Sequence, residues 1–412
     1  MGTIKSLSCP KCGLGAPSKA TFRCPGCGVI LEVTVETGHL TRSDLFNLRN
    51  SRDRTIWRWF DFMPVENRAS IVSLGEGYTP LIRSVRLGRE LGIPRLYLKN
   101  DTVLPTGSLK DRSNTVGISR AREMGFTTAA VISTGNAAAS VAAYAAAAGL
   151  ESVVIVPVGT SPAKILQARA YGARVIVIEG QFDKELTQIY EAALKEFGWY
   201  ECGSSNPYRN EGKKSYAYEI FDQLDEHVPD WIIHPSAGGT GLYAMRKGFQ
   251  ELLALGWAHR MPRLVAAQSE AAAPIVAAFE KGLDHVEPVA AGATVAESIK
   301  VGNPSTVGWR ALEAIRSSKG TAVALSDGEI LEAQSLVARR AGIFAEPAGA
   351  ISVAAAKKLR EQGKITENEL VVCNLTGHGL KQPSAVRIPE EELKPVVPSL
   401  QALRERLGLT AK

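Results

Sequence analysis

The sequence predicts an α/β protein with two parallel sheets covered by helices, a cleft between them and a small cysteine-bearing module at the amino terminus. Two observations predict the sheets: the strand-like runs are apolar throughout, and they alternate with helix-like segments. Short runs of β-branched apolar residues, such as residues 153–157 and 231–234, alternate with helix-like segments along most of the chain. Strands that are apolar on both faces are typical of parallel sheets buried under helices. The third observation, two Cys-x-x-Cys pairs, predicts the module.

The module follows from four of the six cysteines, which form the pairs Cys9/Cys12 and Cys24/Cys27. Two such knuckles can place four thiolates around a tetrahedral zinc ion, and a glycine after each pair permits a tight turn. We therefore expect a zinc-ribbon-like module over residues 1–36 that holds a structural Zn²⁺ ion. The alternatives are a pair of disulfides, which a cytosolic setting disfavours, or a site that has lost its metal.

The remaining elements are predicted in chain order. An aromatic cluster at 57–62 and a glycine-rich turn at 74–81 precede the regular alternation. Strands are expected at 95–99, 129–132, 153–157, 175–178, 231–234, 263–268 and 370–375, and helices at 111–124, 137–148, 162–171, 216–224 and 242–253. Residues 389–412 read as a charged amphipathic tail that should pack on the surface, and 397–412 are expected to follow the large domain as a C-terminal tail.

Composition favours a protein that acts on small anions. The chain has 412 residues, is 45% hydrophobic, and carries a formal charge of +6 that is spread along its length rather than gathered in a basic block. The longest apolar run, residues 137–150, is too short to span a bilayer, and the amino terminus lacks an apolar signal core. We expect a cytoplasmic protein with neither nucleic-acid nor membrane partners.

Three loops follow predicted strands and offer groups that bind ligands. Ser133-Thr134-Gly135-Asn136 places small polar groups and free backbone N–H groups at a helix N-terminus, which favours a carboxylate or a phosphate. The run Ala237-Gly238-Gly239-Thr240-Gly241 lets the backbone wrap closely around an anion, and it matches neither a dinucleotide fingerprint nor a P-loop. Thr376 supplies a hydroxyl at a strand end. Each loop alone is as often an ordinary turn as a ligand site.

Lys110 stands at the start of a predicted helix, directly after the turn at residues 105–109. A lysine there is usually solvated. The helix dipole disfavours a cation at this position, however, so a neutral amine that can attack an aldehyde is a reasonable alternative. A lysine and a glycine loop that holds phosphate are the minimum set for pyridoxal phosphate.

Several motifs occur in a characteristic order. They read EGYTPL at 76–81, PTGSLKDR at 105–112, STGN at 133–136, NPYRNEGKK at 206–214 and LTGHGLK at 375–381. They resemble the EGxTPL, PTGSFKDR, STGN, NxxRLEGQK and LTGHGLK of the threonine synthases, in the fold type II (tryptophan synthase β-like) class of pyridoxal phosphate enzymes. The resemblance covers most of the chain, from the cysteine knuckles to about Pro383.

The resemblance implies a two-lobed fold type II enzyme. Its large cofactor-binding domain would comprise residues 37–114 and 206–396, and a small mobile α/β domain would comprise residues 115–205. Proteins of this class are commonly homodimers. The family reaction is a β,γ-replacement that converts O-phospho-L-homoserine, a phosphorylated amino acid, and water to L-threonine and phosphate.

Residue roles also follow from the resemblance. Lys110 would be the Schiff-base lysine and the catalytic proton shuttle, and Asn136 would hydrogen-bond the phenolic oxygen of the cofactor. The loop from Ala237 to Gly241 would hold the cofactor phosphate, and Thr376 would face the pyridine nitrogen. Substrate contacts are expected from Ser133, Thr134, Ser204, Asn206, Arg209 and Lys214. Among these Arg209 is the first choice for the substrate phosphate, because its planar fork binds phosphate bidentately; the alternative is a structural or solvated arginine.

Departures from the family pattern concern the substrate side. The family's STGNTSAS has become STGNAAAS at 133–140, Gly203 replaces an asparagine, and the loop at 237–241 replaces GNxGN. Leu109 replaces an aromatic residue, which should be harmless. Loss of polar groups changes specificity strongly. A dehydratase, or an enzyme for another activated amino acid, therefore stands as a second hypothesis, and a zinc-ribbon binding protein with an α/β scaffold as a third.

Overall fold

Two sheets of mainly parallel strands form the body of the protein, as the alternation of apolar runs and helices predicts. The computed structural model describes residues 3–160, 162–179, 184–304 and 307–409. The strands are β1 (Ile4–Ser8), β2 (Glu32–Val35), β3 (Leu81–Arg83), β4 (Leu96–Asn100), β5 (Thr128–Ile132), β6 (Glu151–Pro157), β7 (Arg174–Ile178), β8 (Tyr200–Glu201), β9 (Trp231–Pro235), β10 (Arg263–Ser269), β11 (Thr321–Leu325) and β12 (Val371–Leu375).

The α-helices cover these strands. They are α1 (Arg42–Arg49), α2 (Val85–Glu90), α3 (Lys110–Glu123), α4 (Asn136–Ala148), α5 (Pro162–Ala170), α6 (Lys184–Glu196), α7 (Pro207–Glu211), α8 (Ser215–Gln223), α9 (Thr240–Ala254), α10 (Pro274–Glu280), α11 (Gly308–Ser317), α12 (Asp327–Ala341), α13 (Pro347–Glu361), α14 (Glu390–Leu393) and α15 (Leu400–Leu407). Every strand and helix predicted between residues 95 and 375 has a counterpart whose ends differ by one or two residues at most.

The larger sheet has six strands in the order β11-β10-β9-β12-β4-β3. Its strands are parallel except β3, which pairs antiparallel with β4 at one edge. Apolar side chains cover both faces: an aromatic group around Trp59, Tyr218 and Trp257 lies on one face, and aliphatic residues of α12 and α13 lie on the other. Burial on both faces explains why these strands read as continuous apolar runs.

The smaller sheet has four parallel strands in the order β7-β6-β5-β8. The alanine-rich helix α4 is buried against it and against α3, and small side chains such as Ala138 and Ala142 permit this close packing. In the larger sheet, β12 lies between β9 and β4, so the loops at the carboxyl ends of these three strands meet at one edge. Ligands gather at such edges.

The amino-terminal module pairs β1 and β2 antiparallel. Its two knuckles share one hydrogen-bond pattern: Cys9 N donates to Leu14 O, and Cys24 N donates to Val29 O, each at 2.8 Å. Gly13 and Gly28 have φ angles of +74° and +70°, values that glycine adopts without strain, as the tight turns require. The two knuckles therefore fold alike and face each other.

The carboxyl-terminal tail differs from the expectation that it packs on the surface. The apolar side chains of Val397, Leu400, Leu403 and Leu407 are exposed, with Leu400 at 74%.

Within the described residues, no helix is both long enough and apolar enough to cross a membrane.

Candidate functional site

Lys110 is the first residue of α3 and lines a cleft of about 600 Å³. Ser133, Thr134 and Asn136 line the same cleft from the loop after β5, so residues from both sheets face each other across it. The structure thus brings four of the residues named from the sequence together. Leu166 and Gln167 of α5 complete the wall on the side of the smaller sheet.

The surroundings of Lys110 favour a reactive amine. Burial, followed by the nearby charge of Arg209, lowers the pKa of Lys110 from its usual 10.5 to about 8, while the charge of Glu346 opposes the shift. A lysine with a pKa near 8 is partly unprotonated at physiological pH. The amine can therefore act as a nucleophile or as a base.

The two residues after Lys110 hold it in place. Asp111 accepts hydrogen bonds from Thr106 N at 2.8 Å, Thr106 Oγ1 at 2.6 Å and Ser140 Oγ at 2.7 Å, which ties the turn before Lys110 to α4. Arg112 points to the opposite side of α3, into the interior of the protein. Consecutive residues of this helix therefore serve chemistry, loop geometry and the core.

Arg112 is the centre of a buried ionic network. Its guanidinium pairs bidentately with Asp101, at 2.8 Å for both contacts, and with Glu219, at 2.6 and 3.0 Å. Lys99 Nζ lies 2.6 Å from Glu219, and all four side chains are fully buried. Burial raises the pKa of Glu219, but the charges of Arg112 and Lys99 outweigh this effect and hold the pKa at about 2. With Glu219 held as a carboxylate, the network fixes α3, β4 and α8 against each other.

Glu346 is a residue of the cleft that the sequence reasoning missed. Its carboxylate accepts from Asn136 Nδ2 at 3.1 and 3.2 Å and from Ser298 Oγ at 2.8 Å. It is buried, which raises its pKa, and it also lines the cleft with Lys110. A signal was present, because Glu346 is an acid that directly precedes Pro347 at the start of a helix whose first ten residues are small or apolar.

Thr376 follows β12 directly and is buried. Its carbonyl accepts from Leu109 N at 2.8 Å, so the residue just before Lys110 is bonded to this loop. A Cβ on Gly377 would lie 2.4 Å from Glu346 Oε1, so a larger residue at that position would displace the Glu346 carboxylate. The loop predicted at Thr376 therefore lies beside Lys110 and Glu346.

The loop from Ala237 to Gly241 leads from β9 into α9. Gly239 is the N-cap of α9 with a φ of +86°, and no side chain caps this end of the helix. A Cβ on Gly239 would lie 2.3 Å from Ala311 Cβ, and one on Gly241 would lie 2.1 Å from His234 Nε2. The glycines let the backbone lie tightly on the elements below it. The first N–H groups of α9 are left to bind an anion.

Two basic side chains accompany Lys110. Arg209 is buried; its Nε donates to Asn114 Oδ1 at 2.7 Å, and a long contact of 3.5 Å joins its Nη1 to Gly203 O. Lys213 is buried as well, and its Nζ donates to Thr240 Oγ1 at 2.6 Å. In the described part of the chain, neither group forms an ion pair with a carboxylate. This cluster is suited to phosphate.

Arg209, Thr376 and the loop from Ala237 to Gly241 lie outside the lining of this cleft, and Ser204, Asn206 and Lys214 are engaged elsewhere. Lys214 Nζ binds Glu251 at 2.8 Å and Glu211 at 2.9 Å, so this lysine is a buried structural cation, and its neighbour Lys213 reaches the glycine loop instead. Both ends of the Asn206 amide are engaged: Oδ1 caps α7, and Nδ2 donates to Glu201 O at 2.8 Å.

Ser204 lines a second cavity of about 610 Å³, which lies between the amino-terminal module and α6. The spacing of the motif at residues 206–214 did not reveal which of its side chains point towards Lys110.

The four cysteines of the module converge. Their Sγ atoms all lie within 4.8 Å of one another, with Sγ–Sγ distances of 3.4 Å for Cys9–Cys27, 3.5 Å for Cys12–Cys24 and 3.9 Å for Cys12–Cys27. A tetrahedron of thiolates around zinc, with Zn–S bonds of about 2.3 Å, requires edges of about 3.8 Å. All six cysteines are free thiols, so the disulfide alternative is wrong for this structure.

Comparison with known proteins extends this geometry. A family model described as "Pyridoxal-phosphate dependent enzyme" matches residues 72–377. The threonine synthase of Methanocaldococcus jannaschii is 42% identical over 388 residues, which cover 94% of this chain and 95% of that protein. The threonine synthase of Methanosarcina acetivorans is 39% identical over 408 residues, 98% of this chain and 99% of that protein.

Solved structures share the fold. Maize serine racemase superposes with a TM-score of 0.64 at 19% identity, covering 80% of this chain and 93% of its own. The processed form of threonine deaminase isoform 2 from Solanum lycopersicum has a TM-score of 0.63 at 18% identity, covering 93% and 97%. At these identities the likeness concerns the fold alone. It agrees with the two parallel sheets and the cleft described above.

Proposed function

Because the chain belongs to the family of pyridoxal-phosphate dependent enzymes, and within it to the threonine synthases, we propose that it converts O-phospho-L-homoserine and water to L-threonine and phosphate. The observation that carries the proposal is the placement of Lys110, a half-buried lysine with a lowered pKa that lines the cleft, near the charges of Arg209 and Lys213. Two threonine synthases that are 42% and 39% identical to this chain over nearly its full length support the same reaction.

The residues present fit pyridoxal phosphate. The cleft offers an amine that can bind an aldehyde, and the uncapped N-terminus of α9 offers backbone N–H groups to a phosphate. When bound, the cofactor supplies an electron sink that stabilises negative charge on the substrate carbons. Asn136 would donate its amide to the phenolic oxygen, and Thr376 would face the pyridine nitrogen with a neutral hydroxyl.

Lys110 would move protons at the substrate. Its pKa of about 8 lets the amine accept a proton and return it near neutral pH. Glu346, which bonds Asn136 at 3.1 and 3.2 Å, orients the amide that faces the cofactor. Its negative charge also favours the protonated form of Lys110.

Substrate recognition would use both sides of the cleft. The loop with Ser133 and Thr134 leads into α4, whose N-cap Gly135 makes no side-chain cap, so its backbone N–H groups are suited to the substrate carboxylate. Arg209 has guanidinium donors beyond its bond to Asn114 and would bind the substrate phosphate. The bonds of Asn206 and Lys214 to other protein groups argue for supporting roles instead.

One observation favours a second candidate, a dehydratase or another lyase of the same fold. Ala137 and Ala138 stand in the first turn of α4, where the family pattern has two hydroxyls. The loss of polar groups next to a carboxylate site changes which substrate is selected. Threonine would then be a substrate rather than a product.

The test reconstitutes the purified protein with pyridoxal phosphate and follows the visible absorbance of the bound cofactor. Lys110→Ala should abolish this absorbance, and Lys364→Ala, which removes an exposed lysine, should not. Incubation with O-phosphohomoserine should release phosphate and threonine in equal amounts. A wild-type protein that takes up no cofactor would contradict the proposal. Formation of 2-oxobutanoate from threonine, with no reaction of O-phosphohomoserine, would favour the dehydratase.

We further propose that Cys9, Cys12, Cys24 and Cys27 hold a structural Zn²⁺ ion in a zinc-ribbon-like module. The sulfur distances support it. We also propose the domain division inferred from the sequence, with residues 115–205 as a small mobile domain, and a homodimeric assembly. We propose a cytoplasmic location because all six cysteines are free thiols. Metal analysis of the purified protein tests the zinc site, and light scattering tests the homodimer.

A further inference from the structure

Lys213 is a buried lysine that pairs with no carboxylate in the part of the chain that the structure describes. Its side chain is only 3% exposed, and the hydroxyl of Thr240 is its hydrogen-bond acceptor, at 2.6 Å. Burial lowers the pKa of Lys213 well below its usual value, and the charges of Arg209 and Lys110 lower it further. An ammonium group in such a setting strongly prefers an anionic partner.

The neighbouring lysine, Lys214, is a buried lysine of the same segment that does have carboxylate partners. Lys214 is equally buried but pairs with Glu211 and Glu251, and these carboxylates raise its pKa. Lys213 lies one residue earlier in the same turn and points the other way, towards Thr240. Structural stabilisation therefore explains Lys214 and leaves Lys213 unexplained.

Thr240 is the first residue of α9, a helix of 15 residues. Its hydroxyl accepts from Lys213 and keeps its own proton free for donation, next to the unbonded N–H groups of the helix N-terminus. His234 lies below the same loop, but burial, with the charges of Lys213 and Lys110, lowers its pKa to about 3, so it is neutral at physiological pH. Lys213 is then the side chain at this loop, among the described residues, whose charged form an arriving anion would stabilise.

The two partners of this contact both depart from the family pattern. Glutamine stands in the pattern NxxRLEGQK where this chain has Lys213, and glycine stands in GNxGN where it has Thr240. The asparagines of that pattern are Gly238 and Gly241 here. The loop has lost two amide side chains and gained a hydroxyl and an ammonium group, which touch each other.

We propose that Lys213 is a phosphate ligand of this site, and that its ammonium group, the Thr240 hydroxyl and the first N–H groups of α9 together bind the phosphate monoester of the cofactor. The inference rests on the proposed function, because it assigns a residue to the cofactor named there. The chemistry recognised is a phosphate monoester dianion, which the substrate also carries. The experiment therefore has to separate the two sources.

The test uses the apoprotein of the wild type, of Lys213→Gln, which restores the residue of the family pattern, and of Lys364→Gln, which removes one exposed charge in the turn after α13. Each is titrated with pyridoxal phosphate and with pyridoxal, which lacks the phosphate. The ³¹P resonance of the bound cofactor and the melting temperature with and without cofactor are also recorded. KM for O-phosphohomoserine is measured at saturating cofactor.

Lys213→Gln should weaken pyridoxal phosphate binding by about tenfold or more, as expected for one lost charge-assisted hydrogen bond, and should leave pyridoxal binding unchanged. It should shift the ³¹P resonance and reduce the rise in melting temperature that the cofactor causes. The apoprotein itself should be at least as stable as the wild type, because a buried amine that lacks a carboxylate partner has been removed. Lys364→Gln should match the wild type throughout.

Three results would overturn the inference. Equal affinity of wild type and Lys213→Gln for pyridoxal phosphate would exclude the contact, and a less stable apoprotein would indicate a structural lysine. A raised KM with unchanged cofactor affinity would assign Lys213 to the substrate phosphate. A wild-type protein that takes up no cofactor overturns the proposed function together with this inference, whereas equal affinities overturn this inference alone.

Discussion

The buried network around Arg112 gives the sharpest test of what holds the site together. Arg112→Met keeps a side chain of similar length and removes the guanidinium that pairs with Asp101 and Glu219. Both carboxylates are fully buried, so they lose their main cationic partner in a place that water does not reach. We expect a large loss of stability rather than a local effect.

The magnitude follows from the structure. The pKa of Glu219 is held at about 2 against a usual 4.5, and at about 1.4 kcal/mol per pKa unit this corresponds to roughly 3 kcal/mol of stability at neutral pH. Breaking a buried ion pair on one side costs about 3–5 kcal/mol. Because the pKa is lowered on folding, this contribution is present above pH 4.5 and is lost as the pH falls towards 2.

The assay is urea unfolding of the apoprotein, followed by the fluorescence of buried tryptophans such as Trp59 and Trp257. Arg112→Met should lower the free energy of unfolding by about 3–5 kcal/mol at pH 7, and the gap to wild type should narrow between pH 4.5 and pH 3. The matched control is Arg174→Met, whose pair with Glu151 is 71% and 55% exposed and should contribute less than about 1 kcal/mol. A loss for Arg112→Met no larger than that of the control would refute the reasoning.

Three further outcomes are expected. The rate at which the apoprotein takes up pyridoxal phosphate should rise with pH through about 8, the pKa of Lys110, because only the neutral amine attacks an aldehyde; stopped-flow absorbance measures it, and a midpoint near 10.5 would contradict the burial argument. Gly377→Ala should lower cofactor affinity at least tenfold in equilibrium titration, since its Cβ would lie 2.4 Å from Glu346 Oε1; unchanged affinity would mean that the loop adapts. Cys12→Ser should lose the metal in elemental analysis, whereas Cys373→Ser, outside the module, should keep it.

Much of the fold could be predicted because its signals are local. Strands buried on both faces leave apolar runs that are visible in the sequence, and nearly all of the predicted elements lie where expected. The strands β1, β8 and β11 and several helices, among them α12 and α13, were not predicted. β8 is only two residues long, and the two alanines of β11, which reads TAVAL, weaken the signal of β-branched residues.

The sequence predicted the parts of the site in which the chemistry requires a particular residue type, such as the lysine that binds an aldehyde. Lys110 begins its helix as expected, and its loop contacts Thr376. Side-chain direction was not predictable: in the tight turn at Gly212–Lys214, the motif does not say which of two adjacent lysines reaches the glycine loop. Glu346 was missed because its partners are distant in sequence, with Asn136 lying 210 residues away. Such contacts exist only after folding.

The attachment of the amino-terminal module has a consequence for α9. Lys247, in the middle of that helix, donates to Val33 O and binds Glu211 at 2.7 Å, and Arg310 of the adjacent α11 donates to Ile30 O. The module therefore fastens the body of α9 while the N-terminus of the helix remains open to ligands. An arriving anion meets amide groups whose orientation was fixed during folding, so binding does not have to order them. The module thus preorganises a site that its own residues do not touch.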